Sequence, residues 1–238
     1  MKQAGFSYLP NLGTTERPDP AKQDAGDYDA LKDHRQKYGL EIFASFVYPD
    51  DPKVNPFADE SQEDPNGRII FSLSSTQQKA YLKAKDACVT KEAERVLGKR
   101  VSSDVDLMTG PAMAFEEAAR RELDGDPQLV DLAAAYGDCL AGKGYRVAST
   151  KPTEVATTVR KIFQGQLEAI RKKQDPGAEP APKGIVLRPD LSSDQARPYF
   201  TKEIRSALDD LECGKEFYPV FGPKQTALRV RIDAEFGQ

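Results

Sequence analysis

Three cysteines and one histidine are the residues of this sequence that could carry covalent or metal chemistry. The cysteines are Cys88, Cys139 and Cys213, none of them in a C-x-x-C arrangement, and the histidine is His34. A tetrahedral zinc site would need every one of these scattered ligands, so we expect no metal site. Catalysis by a Cys–His pair would need His34 beside a cysteine, but its charged KDHRQK context favours an exposed helix position. The cysteines are therefore either buried small apolar residues or disulfide partners, and their odd number counts against complete pairing.

Other catalytic signatures are also missing from the sequence. There is no G-x-S-x-G, G-x-G-x-x-G or G-x-x-x-x-G-K-[ST] motif. The carboxylate pairs Glu116/Glu117 and Asp209/Asp210 are adjacent on predicted helices, so their members point in different directions, as on solvated faces. We therefore predict no catalytic residue and no cofactor, and an enzyme is the less favoured class.

The overall charge argues against some partners. Lysine and arginine number 34 against 38 aspartates and glutamates, which gives a net charge of -4. That balance provides no electrostatic footprint for nucleic acid or for an anionic membrane. No stretch approaches the roughly 20 apolar residues that a membrane-spanning helix needs. The first ten residues, MKQAGFSYLP, also lack the apolar region of a signal peptide.

Acidic residues are concentrated in the loop predicted at 49–67, where they could present oxygen ligands. They are Asp50, Asp51, Asp59, Glu60, Glu63 and Asp64. Calcium prefers such ligands, but EF-hand spacing is absent and Pro65 restricts the loop. The sequence favours a solvated acidic loop, and protection of the loop from proteolysis by calcium is the observation that would reverse this.

Aromatic residues are frequent in the first third of the chain, within sequence that otherwise resembles loop. Aromatic side chains in loops anchor ligands and partners, and they also attach irregular segments to a helical body. The second role is the commoner one. If the protein has a partner surface, we expect it at Phe43, Phe46, Tyr48 and Phe57.

Hydrophobic periodicity predicts a mainly α protein, an irregular bundle of about five to seven helices with long Pro/Gly-rich loops. Helices are expected at 25–38, 75–97, 112–123, 128–142, 152–173 and 198–216, with helix also favoured over strand at 224–236. A capping box is predicted at Ser75 and Gln78, and loops at 10–24 and 49–67. The apolar run at 40–48 is either a minor β element or a buried segment.

The chain is expected to form one helical domain, 1–238. Its parts are a loop-rich segment at 1–70, a helical body at 71–174, a proline-rich linker at 175–190 and C-terminal helices at 191–238.

Two short segments of the chain resemble each other. Cys139 is followed by LAGKGYRVA, and the chain begins MKQAGFSYL, which aligns Gly5 with Gly144 and Phe6 with Tyr145. In both places a predicted helix ends at a glycine and an aromatic residue follows. The residue that would match Cys139 lies just before Met1, and chance is a fair rival for so short a repeat.

These segments resemble exported proteins and lipoproteins of unknown function that are numerous in actinobacteria. The family pattern Cys-Met-x-x-x-Gly-Phe-x-Tyr is matched by MKQAGFSY without its cysteine, and later segments by SLSSTQQKAYLKAKDAC, CLAGKGY and EIRSALDDLEC. The resemblance covers nearly the whole chain. It departs from the family in lacking tryptophan and in carrying Leu140 where methionine is usual.

The resemblance implies an exported cell-envelope or extracellular protein with four cysteines. It implies a disulfide between Cys139 and Cys213, and a second one from Cys88 to a cysteine absent from this sequence. It further implies that the sequence begins inside the natural protein, after an export signal and a lipid-anchor segment upstream of Met1. We expect a binding or interaction module for an unknown protein or envelope component. The alternatives are an envelope enzyme whose site is invisible in sequence, and a cytosolic adaptor with reduced thiols.

Overall fold

Helices are the only regular secondary structure in the part of the chain that the structure describes. The computed structural model describes residues 1–10, 21–55, 58, 64–177 and 188–236, and in these ranges it contains no strand. A 3-10 turn, Lys2–Ala4, precedes eleven α-helices. These are α1 (Ala21–Asp24), α2 (Tyr28–Tyr38), α3 (Ala44–Val47), α4 (Pro65–Phe71), α5 (Ser75–Leu97), α6 (Asp104–Glu122), α7 (Pro127–Gly142), α8 (Pro152–Val155), α9 (Thr158–Gln174), α10 (Ser193–Cys213) and α11 (Tyr218–Glu235). The mainly α prediction is confirmed, and the helices outnumber the five to seven expected.

Side-chain caps explain where the long helices begin. A capping box at Ser74 and Gln77 opens α5, one residue before the predicted box, because Ser74 holds the extended backbone that an N-cap residue requires. A second capping box, at Ser192 and Gln195, opens α10 ahead of its predicted start. The predicted end of this helix at 97 is confirmed, and Gly98 follows it in the left-handed conformation.

Several boundaries differ from the sequence-based expectation. Helix α6 begins at Asp104 rather than at 112, because Ser103 caps it. The helix expected at 152–173 is broken into α8 and α9, where Thr157 and Thr158 donate side-chain hydrogen bonds to carbonyls of the preceding turn. The helix expected at 224–236 begins earlier than predicted. The dipeptide Gly222-Pro223 lies inside α11, which begins at Tyr218 with Pro219 in its first turn.

The segment 40–48 is largely buried and is not a strand. It bends after Gly39 and then forms the short helix α3. Ile42, Phe43, Ala44 and Val47 are all buried. The predicted loop at 10–24 and the predicted linker at 175–190 lie largely outside the described residues.

Helix α10 is the centre of the fold, because it packs against α2, α3, α7 and α9. Its inward positions include Ala196, Phe200, Ala207 and Leu211. The core around it is completed by apolar side chains of the neighbouring elements, such as Phe43, Leu129, Ala133, Leu140, Val155, Val159, Phe163, Phe217 and Phe221. Removing this apolar surface from water is the main driving force for docking the helices.

Helix α5 lies at the edge of this body. Of its 23 residues only Tyr81 and Ala93 are buried. Tyr81 is covered by the first residues of the chain, since the ring of Phe6 lies edge-on at 5.3 Å between centroids. The hydroxyl of Tyr81 has no hydrogen-bond partner among the described residues. The same N-terminal segment is tied to α4 by two hydrogen bonds between the backbone of Leu9 and the side chain of Asn66.

Candidate functional site

A disulfide bond joins α7 to the end of α10. It links Cys139 to Cys213, with their Cα atoms 5.4 Å apart. Cys139 is exposed, whereas Cys213 is half-buried against the core. The bond therefore ties the central helix to the helix that packs beside it.

Cys88 carries a free thiol on α5. The amino group of Met1 donates a hydrogen bond to its Sγ at 3.2 Å. The described residues place no other cysteine against it, so the implied pairing of Cys88 stays a prediction.

Four polar side chains form a group on the core side of the disulfide. We call this group the Asp210 cluster, and its members are Arg35, Tyr136, Asp210 and Tyr218. Arg35 Nη1 donates to Asp210 Oδ2 at 2.5 Å and to the carbonyl of Ala207 at 2.9 Å. The hydroxyl of Tyr136 donates to Asp210 Oδ1, and that of Tyr218 donates to Oδ2 at 2.5 Å. The cluster thus joins side chains of α2, α7, α10 and α11.

The electrostatics of the Asp210 cluster keep both tyrosines neutral. Burial raises the pKa of Tyr136 and of Tyr218, and the negative charge of Asp210 raises the pKa of both further. Burial alone would lower the pKa of Arg35, but Tyr218 and Asp210 outweigh it and raise that pKa. The result is an ion pair whose acceptor atoms are already occupied by protein donors, which is an arrangement suited to holding helices together.

The prediction that both Asp209 and Asp210 face solvent is wrong for Asp210, which is only 2% exposed. Adjacent helical residues do point in different directions. Asp209 lies on the outer side, where Lys143 Nζ donates to it at 2.7 Å and the hydroxyl of Tyr145 at 2.9 Å. Glu116 and Glu117 are both exposed. The available signal was spacing: Tyr136 and Asp210 each stand three residues before a disulfide cysteine.

A second buried carboxylate shapes the chain after α2. Glu203 is fully buried, and its oxygens accept hydrogen bonds from the backbone N–H groups of Leu40, Ile42 and Phe43, at 2.7, 2.9 and 2.9 Å. Burial raises the pKa of Glu203, and these hydrogen bonds act in the opposite direction. Because its amides bond to Glu203, the segment 40–43 cannot pair as a strand.

Gly39 makes this close approach possible. Its φ of 62° is left-handed, and a Cβ there would lie 3.0 Å from Glu203 Oε1. From the other side, Arg160 Nη1 donates to the carbonyl of Leu40 at 2.8 Å. The chain leading into α3 is thus held by side chains of α9 and α10.

The predicted aromatic partner surface is divided by the structure. Phe43 has no exposed area and stacks on Tyr199 of α10, so it belongs to the core rather than to a surface. Phe46 is half-buried beneath the guanidinium of Arg188, 4.2 Å from the ring centroid. Tyr48 is half-buried, and Phe57 lies outside the described residues.

Tyr48 lines an open depression of about 480 Å³, which we call the 47–52 depression. Its walls are Val47, Tyr48, Pro49, Asp50, Asp51 and Pro52. The ring of Tyr48 is supported edge-on by Phe200 and by Tyr38, at 5.8 and 6.1 Å between centroids. The depression therefore has one aromatic wall fixed by the core.

The two aspartates of the depression differ in their surroundings. The hydroxyl of Tyr38 donates to Asp51 Oδ2 at 2.7 Å, and the backbone N–H of Lys53 donates to Oδ1 at 3.0 Å. These bonds, with that of Tyr38 foremost, lower the pKa of Asp51 and keep it ionised. Asp50 is exposed at the rim. Lys37 Nζ lies 3.6 Å from Asp51 Oδ2 and partly balances its charge. The depression thus presents two carboxylates beside an aromatic ring.

The side chain of His34 is only 18% exposed, so the predicted exposed position is wrong. Its Nε2 is 2.6 Å from Glu41 Oε1, and its ring lies against that of Tyr38. Across the described part of the chain, no three His, Cys, Asp or Glu side chains are grouped so as to hold a metal ion. In the same ranges, no helix is both long and apolar enough to cross a bilayer. The predicted acidic loop lies partly outside the described residues, at 56–57 and 59–63.

Comparison of the chain with protein-family models, with curated proteins and with solved structures gave no match.

Proposed function

We propose that the protein is an exported cell-envelope or extracellular binding module that acts without a cofactor through the 47–52 depression. The observation that carries the proposal is the depression itself, an open surface with an aromatic wall and two carboxylates. Exposed loop residues beside an aromatic side chain are common places for partner binding.

The elements beneath the depression support this role because they hold its shape. Tyr48 rests on Phe200, and the chain before it is fixed by Glu203; both supporting residues belong to α10. Binding residues are commonly carried on loops that a rigid scaffold positions. A partner would meet a surface that needs little rearrangement, which reduces the entropic cost of binding.

The disulfide supports the exported location. Disulfides form and persist in oxidising compartments and are rare in the cytosol. A cytosolic adaptor would instead carry Cys139 and Cys213 as thiols. The resemblance to envelope lipoproteins also favours a lipid anchor.

If the protein is instead an envelope enzyme, the Asp210 cluster is the best candidate for its active site. The groups of that cluster bond to one another, and none of its four side chains lines the 47–52 depression. A buried ion pair of this kind is a structural tie, so the binding module is the favoured function.

Site-specific crosslinking tests the binding surface. A photoreactive residue is introduced at Asp50 or, as a control, at exposed Asp131 on α7, and the protein is irradiated in intact cells of its native host. We expect adducts of defined mass from position 50 and none from position 131. The purified partner should then bind the unmodified protein at least tenfold more tightly than the Tyr48→Ala variant. Equal adducts from both positions, or none from either, would contradict the proposal.

Thiol labelling in the same cells tests the location separately. Alkylation before lysis should leave Cys139 and Cys213 unlabelled and place the protein in the envelope or the medium. Labelling of both cysteines in the cytosolic fraction would instead identify the adaptor.

A further inference from the structure

We propose that the Cys139–Cys213 disulfide is a reversible redox site, which a protein dithiol reduces while the helices around it stay docked. This inference goes beyond the proposed binding function and does not depend on it. It rests on the exposure of Cys139 and on noncovalent contacts that join the same two segments of the chain as the disulfide.

Cys139 is the accessible half of the bond. It lies on the exposed side of α7, whereas Cys213 is half-buried against the core. Thiol–disulfide exchange requires a thiolate to reach one sulfur atom from outside. Because Cys139 is the more exposed residue of the pair, we assign the attack to its Sγ and the role of leaving group to Cys213.

Three noncovalent contacts join the same two segments that the disulfide joins. On the core side of the disulfide, the hydroxyl of Tyr136 donates to Asp210. On the outer side, Lys143 and Tyr145 both donate to Asp209, at 2.7 and 2.9 Å. These residues stand on both sides of Cys139 along the chain, so α7 is held to α10 around the bond as well as through it.

Helix α10 has further attachments that do not involve sulfur. It packs against α2, α3 and α9, and it carries Glu203 and one half of the Arg35–Asp210 ion pair. Breaking one covalent link to α7 leaves these contacts in place. The reduced protein is therefore expected to stay folded and able to form the bond again.

The exchange balances with a dithiol as the electron donor. One thiolate of the dithiol attacks Cys139 Sγ and forms a mixed disulfide, while the electron pair of the broken bond passes to Cys213 Sγ, which takes up a proton. The second thiolate then attacks the dithiol's own sulfur in the mixed disulfide and releases Cys139, which is also protonated. Two electrons and two protons pass from the dithiol, which becomes a disulfide, to the protein.

The test uses the full chain with Cys88→Ser, so that no third thiol can exchange, and dithiothreitol as the dithiol probe. Under native conditions at 25 °C we expect complete reduction, retained near-ultraviolet circular dichroism and a cooperative melt about 10 °C lower. Removal of the probe and mild oxidation should restore the original Tm. Reduction that requires denaturant, or loss of the near-ultraviolet signal on reduction, would overturn the proposal.

A second variant tests whether the contacts duplicate the bond. Asp209→Asn weakens the contacts of Lys143 and Tyr145, so it should lower the Tm much more in the reduced protein than in the oxidised protein. Asp131→Asn, an exposed substitution on α7, should act equally and weakly in both forms. Equal effects of Asp209→Asn in the two redox forms would show that the contacts do not substitute for the bond.

Discussion

The buried carboxylate of Glu203 accepts a hydrogen bond from the backbone N–H of Phe43, 160 positions earlier in the chain. Two further amides bond to the same carboxylate, and the ring of Phe43 stacks on α10. Glu203 of the central helix therefore holds three amides of the chain that enters α3, and so helps to fix the position of the 47–52 depression.

Replacing Glu203 by glutamine should destabilise the protein by about 2 kcal/mol, because an amide group presents a donor to an N–H that needs an acceptor. Chemical denaturation gives the change in the free energy of unfolding. The control is Glu216→Gln at an exposed position, which should change that free energy by less than about 0.5 kcal/mol. Equal effects of the two substitutions would contradict the role assigned to Glu203.

Removing one partner of the Arg35–Asp210 pair should cost about 3–5 kcal/mol, because a buried charge is left without its counter-ion. Arg35→Met and Asp210→Leu together should cost less than the sum of the single changes. A double-mutant cycle in urea measures this coupling. Additive single effects would mean that the two groups contribute independently.

The pH dependence of stability should change when Asp209 is replaced by asparagine. The hydrogen bond from Lys143, reinforced by that from Tyr145, lowers the pKa of Asp209 in the folded protein. A lowered folded pKa stabilises the protein above the unfolded pKa of about 3.9, and this contribution is lost as the pH falls through the folded pKa.

The free energies of unfolding of the original protein and of Asp209→Asn should therefore differ most near pH 6 and converge toward pH 3. Urea titrations at several pH values give the comparison. A difference that is constant with pH would show that the charge of Asp209 is not what stabilises the contact.

Two glycines with similar backbone angles should respond differently to alanine. Gly26 has φ 73°, and a Cβ there would lie 2.1 Å from the carbonyl oxygen of Tyr218. Gly98 has φ 63° with nothing within 4 Å of the added Cβ. Gly98→Ala should therefore show only the backbone cost of about 1–2 kcal/mol.

Gly26→Ala should lower the Tm several-fold more than Gly98→Ala does, because the turn between α1 and α2 must move away from α11. Thermal unfolding of both variants checks this. A similar loss at both positions would mean that the turn accommodates a methyl group.

Local signals in the sequence predicted the helices and several of their ends. Gly39 and Gly98 mark the ends of α2 and α5, because glycine adopts positive φ at little cost. The sequence does not reveal the break before α9, because the apolar periodicity continues through the threonines that interrupt the helix. The segment 40–48 was ambiguous, because its hydrogen-bond partner lies on α10 rather than on a neighbouring strand.

The buried polar groups could not be predicted in the same way. Asp210 follows another aspartate, Asp209, near the acidic end of its helix, which is typical of a solvated face. Its partner Arg35 is 175 residues away. No local pattern encodes that pairing. The sequence likewise does not show that Phe43 is buried, because the residues that cover it lie on α10.

Glu203 and Cys213 lie on one uninterrupted helix, ten residues apart. Each residue of an α-helix advances the chain by about 1.5 Å and turns it by about 100°. Inserting or deleting one residue between them would therefore point one of the two groups away from its partner, however favourable the new residue was for helix formation. We therefore expect this stretch to tolerate substitutions at its exposed positions but no insertion or deletion of a residue.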